Sequence, residues 1–532
     1  MTSGIAPADP CVTIRQFVEQ LWRELLHVPA VADADSFFKL GGHSLMALHA
    51  IDVVEQKFGI ELGGLREMCE NPTLAQFVSL AEARRREASP AAGGEAPGLL
   101  TALYRGEASI TVAGQRLAGD DLSGAVGAVA SAVAGASRVA VVAHPAASTV
   151  VAVAGILAAG ATAVPVDPAA RPAEREHILG EVAADLVLDG ADLTARGSLP
   201  PDPPADDSPA LILYTSGSTG PPKGAVIPRR AVGANLDAVA GLWDWQASDV
   251  LAHALPLFHV HGLVFGVLGP LRIGSPLVHT GRHFTPAAGA SIYFGVPTLW
   301  SSLSRADLAE MRGARLLVTG AGVLPQRVYD RIEQVTGQQV LNRYAMTETL
   351  VITSPRAAGP RFPWSVGPPV PGAEVRLAEA EGLAPLCEVQ VRGPGLFSGY
   401  LGRGPAVDAD GWFSTGDLGG WLDDGSLRLL GRKDTDLIKT GGHRVGAGEV
   451  ESVLLAHPQV AEAAVVGLPD ERLGQRVAAW VVASGPVDRA ELAAFLAARL
   501  TPYKEPQEIH LASALPRNAL GKVQKRLLAA GA

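Results

Sequence analysis

One run of residues is richest in groups that could handle phosphate: Tyr214-Thr215-Ser216-Gly217-Ser218-Thr219-Gly220-Pro221-Pro222-Lys223-Gly224, directly after the apolar stretch Ala210–Leu213. Its hydroxyls and unhindered backbone N–H groups are suited to phosphate oxygens. The spacing GxxxxGK[ST] is absent, so the run is not a Walker loop. A second candidate is Ser44, after Gly41-Gly42-His43. The expected helix starting there offers free N–H groups and the positive end of the helix dipole to a phosphate. The two glycines let the chain turn sharply before it. Taken alone, Ser44 could equally be a helix N-cap. His259 alone would more often be a core histidine, and Lys522 alone a surface lysine.

Three kinds of element must position these groups. From Val12 to His27, Ile14, Phe17, Leu21 and Leu25 fall at helical spacing, and further helices are expected near Ser44 and Thr73. Residues 10–83 therefore read as a small helical bundle. Residues 84–98, charged and then rich in Ala, Gly, Pro and Ser, read as a linker. From Leu99 the apolar runs Arg138–Ala143, Ala161–Val166 and Ala184–Leu188 alternate with helix-like stretches, the pattern of a parallel sheet with helices on its faces. The texture changes near Gly431-Arg432-Lys433-Asp434, placing a large α/β domain at 99–433 and a small α+β domain at 434–532.

At 532 residues the chain is too long for one hydrophobic core. A net charge of −10 leaves no electrostatic footprint for nucleic acid, which is not expected as a partner. Cys11, Cys69 and Cys387 form no CxxC pair, which argues against a disulfide framework or zinc site and fits a reducing cytoplasm. The N-terminus has no basic region followed by an apolar stretch, so no signal peptide is expected. Ala146–Val166 imitates a membrane span, but Gly155, Gly160 and Pro165 break it. A buried helix followed by a buried strand is expected there, and no membrane partner.

Several motifs together carry a resemblance. Asp35-Ser36-Phe37-Phe38-Lys39-Leu40-Gly41-Gly42-His43-Ser44-Leu45 resembles the attachment site of peptidyl carrier domains. This implies phosphopantetheine on Ser44, and hence a phosphopantetheinyl transferase as partner. The Tyr214–Gly224 run is similar to the phosphate loop of the adenylate-forming superfamily of acyl-CoA synthetases, adenylation domains and luciferases. Its Thr215, Ser216, Gly217, Ser218, Thr219, Gly220 and Lys223 would then face ATP. Asn342-Arg343-Tyr344-Ala345-Met346-Thr347-Glu348-Thr349 resembles the segment in which the aromatic (Tyr344) stacks on adenine, Thr347 meets the α-phosphate and Glu348 holds Mg²⁺. Hard oxygen ligands suit that ion. Gly411–Asp417 matches the segment whose aspartate, here Asp417, accepts both ribose hydroxyls, as a carboxylate can. Gly431–Asp434 matches the hinge, with Arg432 toward ribose and Asp434 as pivot. Gly441 and Gly442 match the loop that swings in for the thiol step, and Pro516–Lys522 the segment carrying the adenylation lysine, Lys522.

The resemblance implies an ATP-dependent acid–thiol ligase. Carboxylate attack on the α-phosphorus releases pyrophosphate, and a thiol then displaces AMP. Phe258-His259-Val260-His261-Gly262 matches the wall of the acyl pocket, with His259, Val260 and Met346 toward the acid. No aspartate stands there for an ammonium, which disfavours an α-amino acid. Gly224–Arg230, Pro256–Gly262, Thr347–Leu350 and Thr435–Glu449 resemble malonyl-CoA synthetases, which pair the second carboxylate of malonate with arginine. The pattern is incomplete here. Thr285–Ser291 is short and holds no arginine, and Ile352 replaces an expected Asn. Among Arg272, Arg282, Arg356 and Arg361, Arg361 is the best placed to meet that carboxylate, with a surface-loop arginine as the alternative; the substrate is thus expected to be a small carboxylic acid, malonate-like or another small non-amino acid. The leading expectation is transfer of the acyl group to Ser44 of the chain's own carrier, for downstream biosynthetic enzymes that take a carrier-bound acyl group. The alternatives are a ligase using free CoA and a non-catalytic carrier-docking scaffold.

Overall fold

A computed structural model of the chain describes residues 14–58, 62, 64–70, 72–88, 98–201, 206–215, 222–322, 324–379, 387–433, 436–517 and 523–530. The chain divides into two compact units, 1–97 and 98–532. The expected phosphate-loop residues Ser216, Gly217, Ser218, Thr219 and Gly220, the pivot Asp434 and Lys522 lie outside the described residues.

The first unit has helices α1 (Ile14–Leu26), α2 (Ser44–Phe58), α3 (Leu65–Glu70) and α4 (Leu74–Ala88). Val18, Leu21 and Trp22 of α1 meet Ile51 and Val54 of α2 and Phe77 of α4 in one core. Trp22 lies edge-on to Phe37, centroids 5.0 Å apart. The sequence pattern anticipated α1, α2 and α4. The short α3 carries too few residues for a periodic signal, and α4 continues past Ala83 into the stretch read as linker. Thr73 and Gln76 cap α4 reciprocally: Gln76 N–H donates to Thr73 Oγ1 at 3.3 Å, and Thr73 N–H to Gln76 Oε1 at 3.2 Å.

The second unit holds two large sheets. One runs Gly399–Tyr400, Lys223–Pro228, Pro209–Thr215, Thr162–Val166, Arg138–Val142, Leu186–Leu188, its last four strands parallel. The other runs Leu341–Asn342, Leu316–Thr319, Ile292–Gly295, Leu251–His253, Leu277–His279, Ser109–Val112, Gln115–Ala118, parallel except for its final pair. The apolar segment 146–166 forms the expected buried helix, Ala147–Ala158, and buried strand, Thr162–Val166; the break falls at Gly160, while Gly155 lies within the helix and Pro165 within the strand. Among the described residues no helix is long and apolar enough to cross a membrane. A four-stranded antiparallel sheet (Glu374–Glu379, Cys387–Arg392, Phe413–Trp421, Leu427–Arg432) leads into a C-terminal α+β part built on the hairpin Val460–Asp470 and Gly474–Ala483.

Parallel sheets bind ligands at the carboxyl ends of their strands. Thr215 ends one such strand; His259, Gly320 and Arg343 follow three others.

Candidate active site

Asp417 sits in the strand Phe413–Trp421 and is buried. Its Oδ2 accepts the Tyr344 hydroxyl, and its Oδ1 pairs with Arg432 Nε at 2.7 Å. The local turn is fixed by Thr415, whose Oγ1 accepts the Asp417 N–H at 3.0 Å, and by Gly416 at φ +72, whose N–H donates to Glu388 at 3.0 Å. Burial and the neighbouring Asp417 charge push the Tyr344 hydroxyl well above the usual phenol range, so it stays a donor. Tyr344, Asp417 and Arg432, expected around one nucleoside, are thus brought together.

Glu348 is also buried, and its Oε1 accepts the Tyr400 hydroxyl at 2.8 Å. Burial first, then the Glu348 charge, raise the Tyr400 hydroxyl above its ordinary value. Lys223 Nζ lies 5.5 Å from the centre of the Tyr400 ring. Lys223 pairs in register with Thr215 across the two strands that flank residues 216–221, so the ends of the expected phosphate loop are held side by side. Nothing in the sequence singled out Tyr400.

The expected acyl wall begins at Phe258 and His259, whose rings are 4.4 Å apart. From His261 to Leu268 the backbone is wound as a π-helix, and Gly269 N–H reaches back to Val264. Gly262 permits this approach: a Cβ there would lie 2.2 Å from the Pro256 carbonyl oxygen. Val260 and Met346 belong to the same apolar cluster as Phe294 and Phe265. An open cavity of about 320 Å³ reaches this wall, lined among others by Ala143, Pro168, Leu257, Phe258 and Arg282.

The arginine expected at the acid has two of its nitrogens taken by backbone carbonyls. Arg361 is buried, but Nη1 donates to the Gln339 carbonyl at 2.7 Å and Nη2 to the Ala357 carbonyl. Those bonds tie it to its own loop and to the residues ahead of the strand Leu341–Asn342, while its Nε has no hydrogen-bond partner among the described residues. Arg272 is likewise spent, in a two-pronged pair with Asp237 at 2.7 Å. Arg343 differs. It is 4% exposed, directly follows the strand Leu341–Asn342, and neither Nε nor Nη2 has a hydrogen-bond partner among the described residues. It faces the Phe265 ring at 5.7 Å. A Cβ on Gly320 would stand 2.9 Å from its Cζ, so the glycine makes room for it. Burial lowers its pKa to about 10, leaving it cationic at neutral pH. Two neighbours share this isolation: both ring nitrogens of His261 and the hydroxyl of Thr319 are also buried without partners. The sequence placed Arg343 inside a motif without giving it a role.

His253, His259, His261 and His279 all surround this end of the second sheet. Burial pushes each below the ordinary imidazole value, His259 to about 4. They are neutral in the folded protein and protonate more readily when unfolded. The unfolded chain therefore binds more protons below about 6.5, and stability falls with pH. Each histidine contributes up to about 1.4 kcal/mol per pH unit; the contribution of His259 ends near 4. Denaturant melts between roughly pH 7.5 and 5.5, where carboxylates stay ionised, should show a clear decline. A flat profile would contradict the burial of neutral imidazoles.

Known proteins bear on this geometry. The AMP-binding enzyme family matches residues 102–401, the AMP-binding enzyme C-terminal domain residues 449–522, and the phosphopantetheine attachment site residues 16–81. The chain belongs to the AMP-binding enzyme family. It is an adenylate-forming acid–thiol ligase joined to an N-terminal carrier domain. Within the family, a malonate–CoA ligase of Arabidopsis thaliana is 32% identical over 475 residues, 74% of this chain and 77% of the relative. A solved malonyl-CoA ligase, in a ternary product complex with methylmalonyl-CoA and AMP bound, is 43% identical and covers 81% of this chain and 99% of its own, with a TM-score of 0.59. ATP-bound MatB from Rhodopseudomonas palustris is 29% identical over 82% of this chain and 98% of its own, with a TM-score of 0.74. The molecule therefore superposes better on the ATP-bound relative, although its sequence is nearer to that of the product complex.

Proposed function

We propose that this ligase activates a small dicarboxylic acid of the malonate type and transfers it to phosphopantetheine on Ser44. The observation that carries the choice of acid is Arg343. A cation this buried with unmet donors is costly by itself and is compensated by a bound anion. A second carboxylate, two carbons from the reacting one, is the anion the reaction supplies, and a guanidinium can grip it with two parallel bonds. The malonate and methylmalonate chemistry of the relatives supports the same reading.

One carboxylate of the acid forms an O–P bond to the α-phosphorus of ATP, and pyrophosphate departs with the bonding pair. The ends of the loop at Thr215 and Lys223 hold the phosphates, Thr347 meets the α-phosphate, and Asp417 with Arg432 fixes the ribose beside Tyr344. Lys522 neutralises charge during this step. The hard carboxylate of Glu348 suits Mg²⁺, which would neutralise phosphate charge when bound. Tyr400 holds Glu348 by one oxygen, and the other would face the cation. The pantetheine thiol then gives up its proton and bonds to the acyl carbon, the acyl C–O bond to the phosphate breaks, and AMP leaves with that oxygen and the bonding pair. His259 is neutral at working pH and can accept a hydrogen bond at the wall without bringing charge. The cavity beside Phe258 is roomy enough for a pantetheine arm.

A second reading, a ligase for free CoA, is favoured by the activity named for the relatives. Pyrophosphate exchange with mono- and dicarboxylates tests the acid. Malonate and methylmalonate should exceed acetate and propionate by about a hundredfold. Equal rates would overturn the dicarboxylate assignment.

A further inference from the structure

Beside the hinge lies an ion cluster that the chemistry above leaves unused. Lys525, the first residue of the helix Lys525–Ala530, sits 2.5 Å from Asp436 Oδ1 and 2.7 Å from Glu451 Oε1. Their side chains are 18%, 19% and 19% exposed. Burial opposes the lysine's charge, but Glu451 and Asp436 outweigh it and hold the ammonium protonated. Glu451 also accepts the Val465 N–H at 2.8 Å, which ties the helix Ala447–Leu455 to the strand Val460–Asp470.

Asp436 is the shared member. Its Oδ2 accepts the Arg432 N–H at 3.0 Å, while its own N–H donates to the Arg432 carbonyl at 2.9 Å. This reciprocal pair brackets residues 433–435. It packs closely: a Cβ on Gly431, which has φ +133, would lie 2.9 Å from Asp436 Cβ. A large rotation at position 434 changes the path from Arg432 to Asp436, so the pair cannot persist through it. Lys525 and Glu451 lie on the Asp436 side of that rotation. Lys525 therefore decides which way the Asp436 carboxylate points. Without its ammonium, Asp436 and Glu451 are two carboxylates sharing one site, and Asp436 is driven from the Arg432 amide.

We propose that Lys525 is a positioning residue which, through Asp436, holds the hinge in the arrangement nearer the ATP-bound relative and so favours adenylation over thiol transfer. This rests on the reading that Asp434 is the pivot and Lys522, three residues before Lys525, serves adenylation. The consequence is a split between half-reactions that a purely structural role would not produce. A biased two-state element changes the step that needs the favoured state.

The test measures pyrophosphate exchange with malonate, and thioester formation from chemically prepared malonyl-adenylate with free pantetheine. Lys525→Met should lower exchange by about tenfold and leave transfer within about twofold. Lys525→Arg, which keeps the charge, should recover most of the exchange. Equal loss in both assays, or unchanged exchange, would overturn the proposal. The double variant Lys525→Met with Glu451→Gln, which carries no surplus buried charge, lifts the repulsion on Asp436 and should keep exchange within about twofold of wild type; a folded double variant that is still about tenfold down would overturn the proposal. Lys522→Ala is the separate control: if it leaves exchange intact, the reading of Lys522 fails, whatever Lys525 does.

Discussion

Replacing Arg343 with Met is expected to reduce kcat/KM for malonate by roughly two to three orders of magnitude. Removing one partner of a desolvated, hydrogen-bonded charge pair costs about 2–5 kcal/mol. The loss should be selective. Acetate and propionate offer no second carboxylate, so their rates should hold or rise when the guanidinium is gone. Stability should move the other way. Without ligand, Nε and Nη2 of Arg343 are buried and have no partner among the described residues, so exchanging the cation for an apolar chain relieves a desolvation cost. The variant should melt at a higher temperature while losing its dicarboxylate. Equal loss for mono- and dicarboxylates, or a lower melting temperature, would show that the guanidinium serves the fold rather than the acid.

Ser44→Ala should abolish acylation of the chain altogether while sparing pyrophosphate exchange. Ser44 is exposed at the first position of α2, open to a transferase and to the arm it would add. The turn into it is fixed independently of the hydroxyl. Gly42 N–H donates to the Phe37 carbonyl at 3.0 Å, and any Cβ on Gly42 would strike the Phe37 ring at 2.3 Å. Ala at 44 should therefore leave the helix bundle intact. With malonate, ATP and no added CoA, intact mass spectrometry of the transferase-treated wild type should find a thioester, and the variant none. A thioester on the variant would remove Ser44 as acceptor. A wild type that acylates only added CoA would favour the free-CoA reading. Dilution separates loading within one chain from loading between chains, because only the first is independent of concentration.

Much of the architecture was legible because it rests on local patterns. The apolar runs at 138–143 and 161–166 became adjacent parallel strands, and the glycine-broken segment before Val166 became a helix and a strand. Tyr344, Asp417 and Arg432 could be read as one group because each stood in its own recognisable motif, and they do converge. What could not be read depends on contacts between distant residues. Arg361 looked available by its position, yet the carbonyls that occupy it belong to Gln339 and Ala357. Arg343 looked like motif filler, and what distinguishes it is two buried nitrogens without hydrogen-bond partners among the described residues. Lys525 meets Asp436 across 89 positions, a pairing that spacing does not encode. The short α3 and the π-helical winding have no periodicity of their own to announce them.

That winding has a consequence for how the acid could be changed. A π-helix accommodates an extra residue per turn, so the run from His261 to Leu268 is a stretch of backbone with length to spare. Deleting one residue there would let it tighten to an ordinary helix. Every side chain before the deletion would then rotate relative to those after it, by about 100°. His261 and Phe265 would no longer present the same faces to Arg343. The size and lining of this pocket are thus set partly by chain length, and a single-residue deletion could reshape it where no side-chain exchange would.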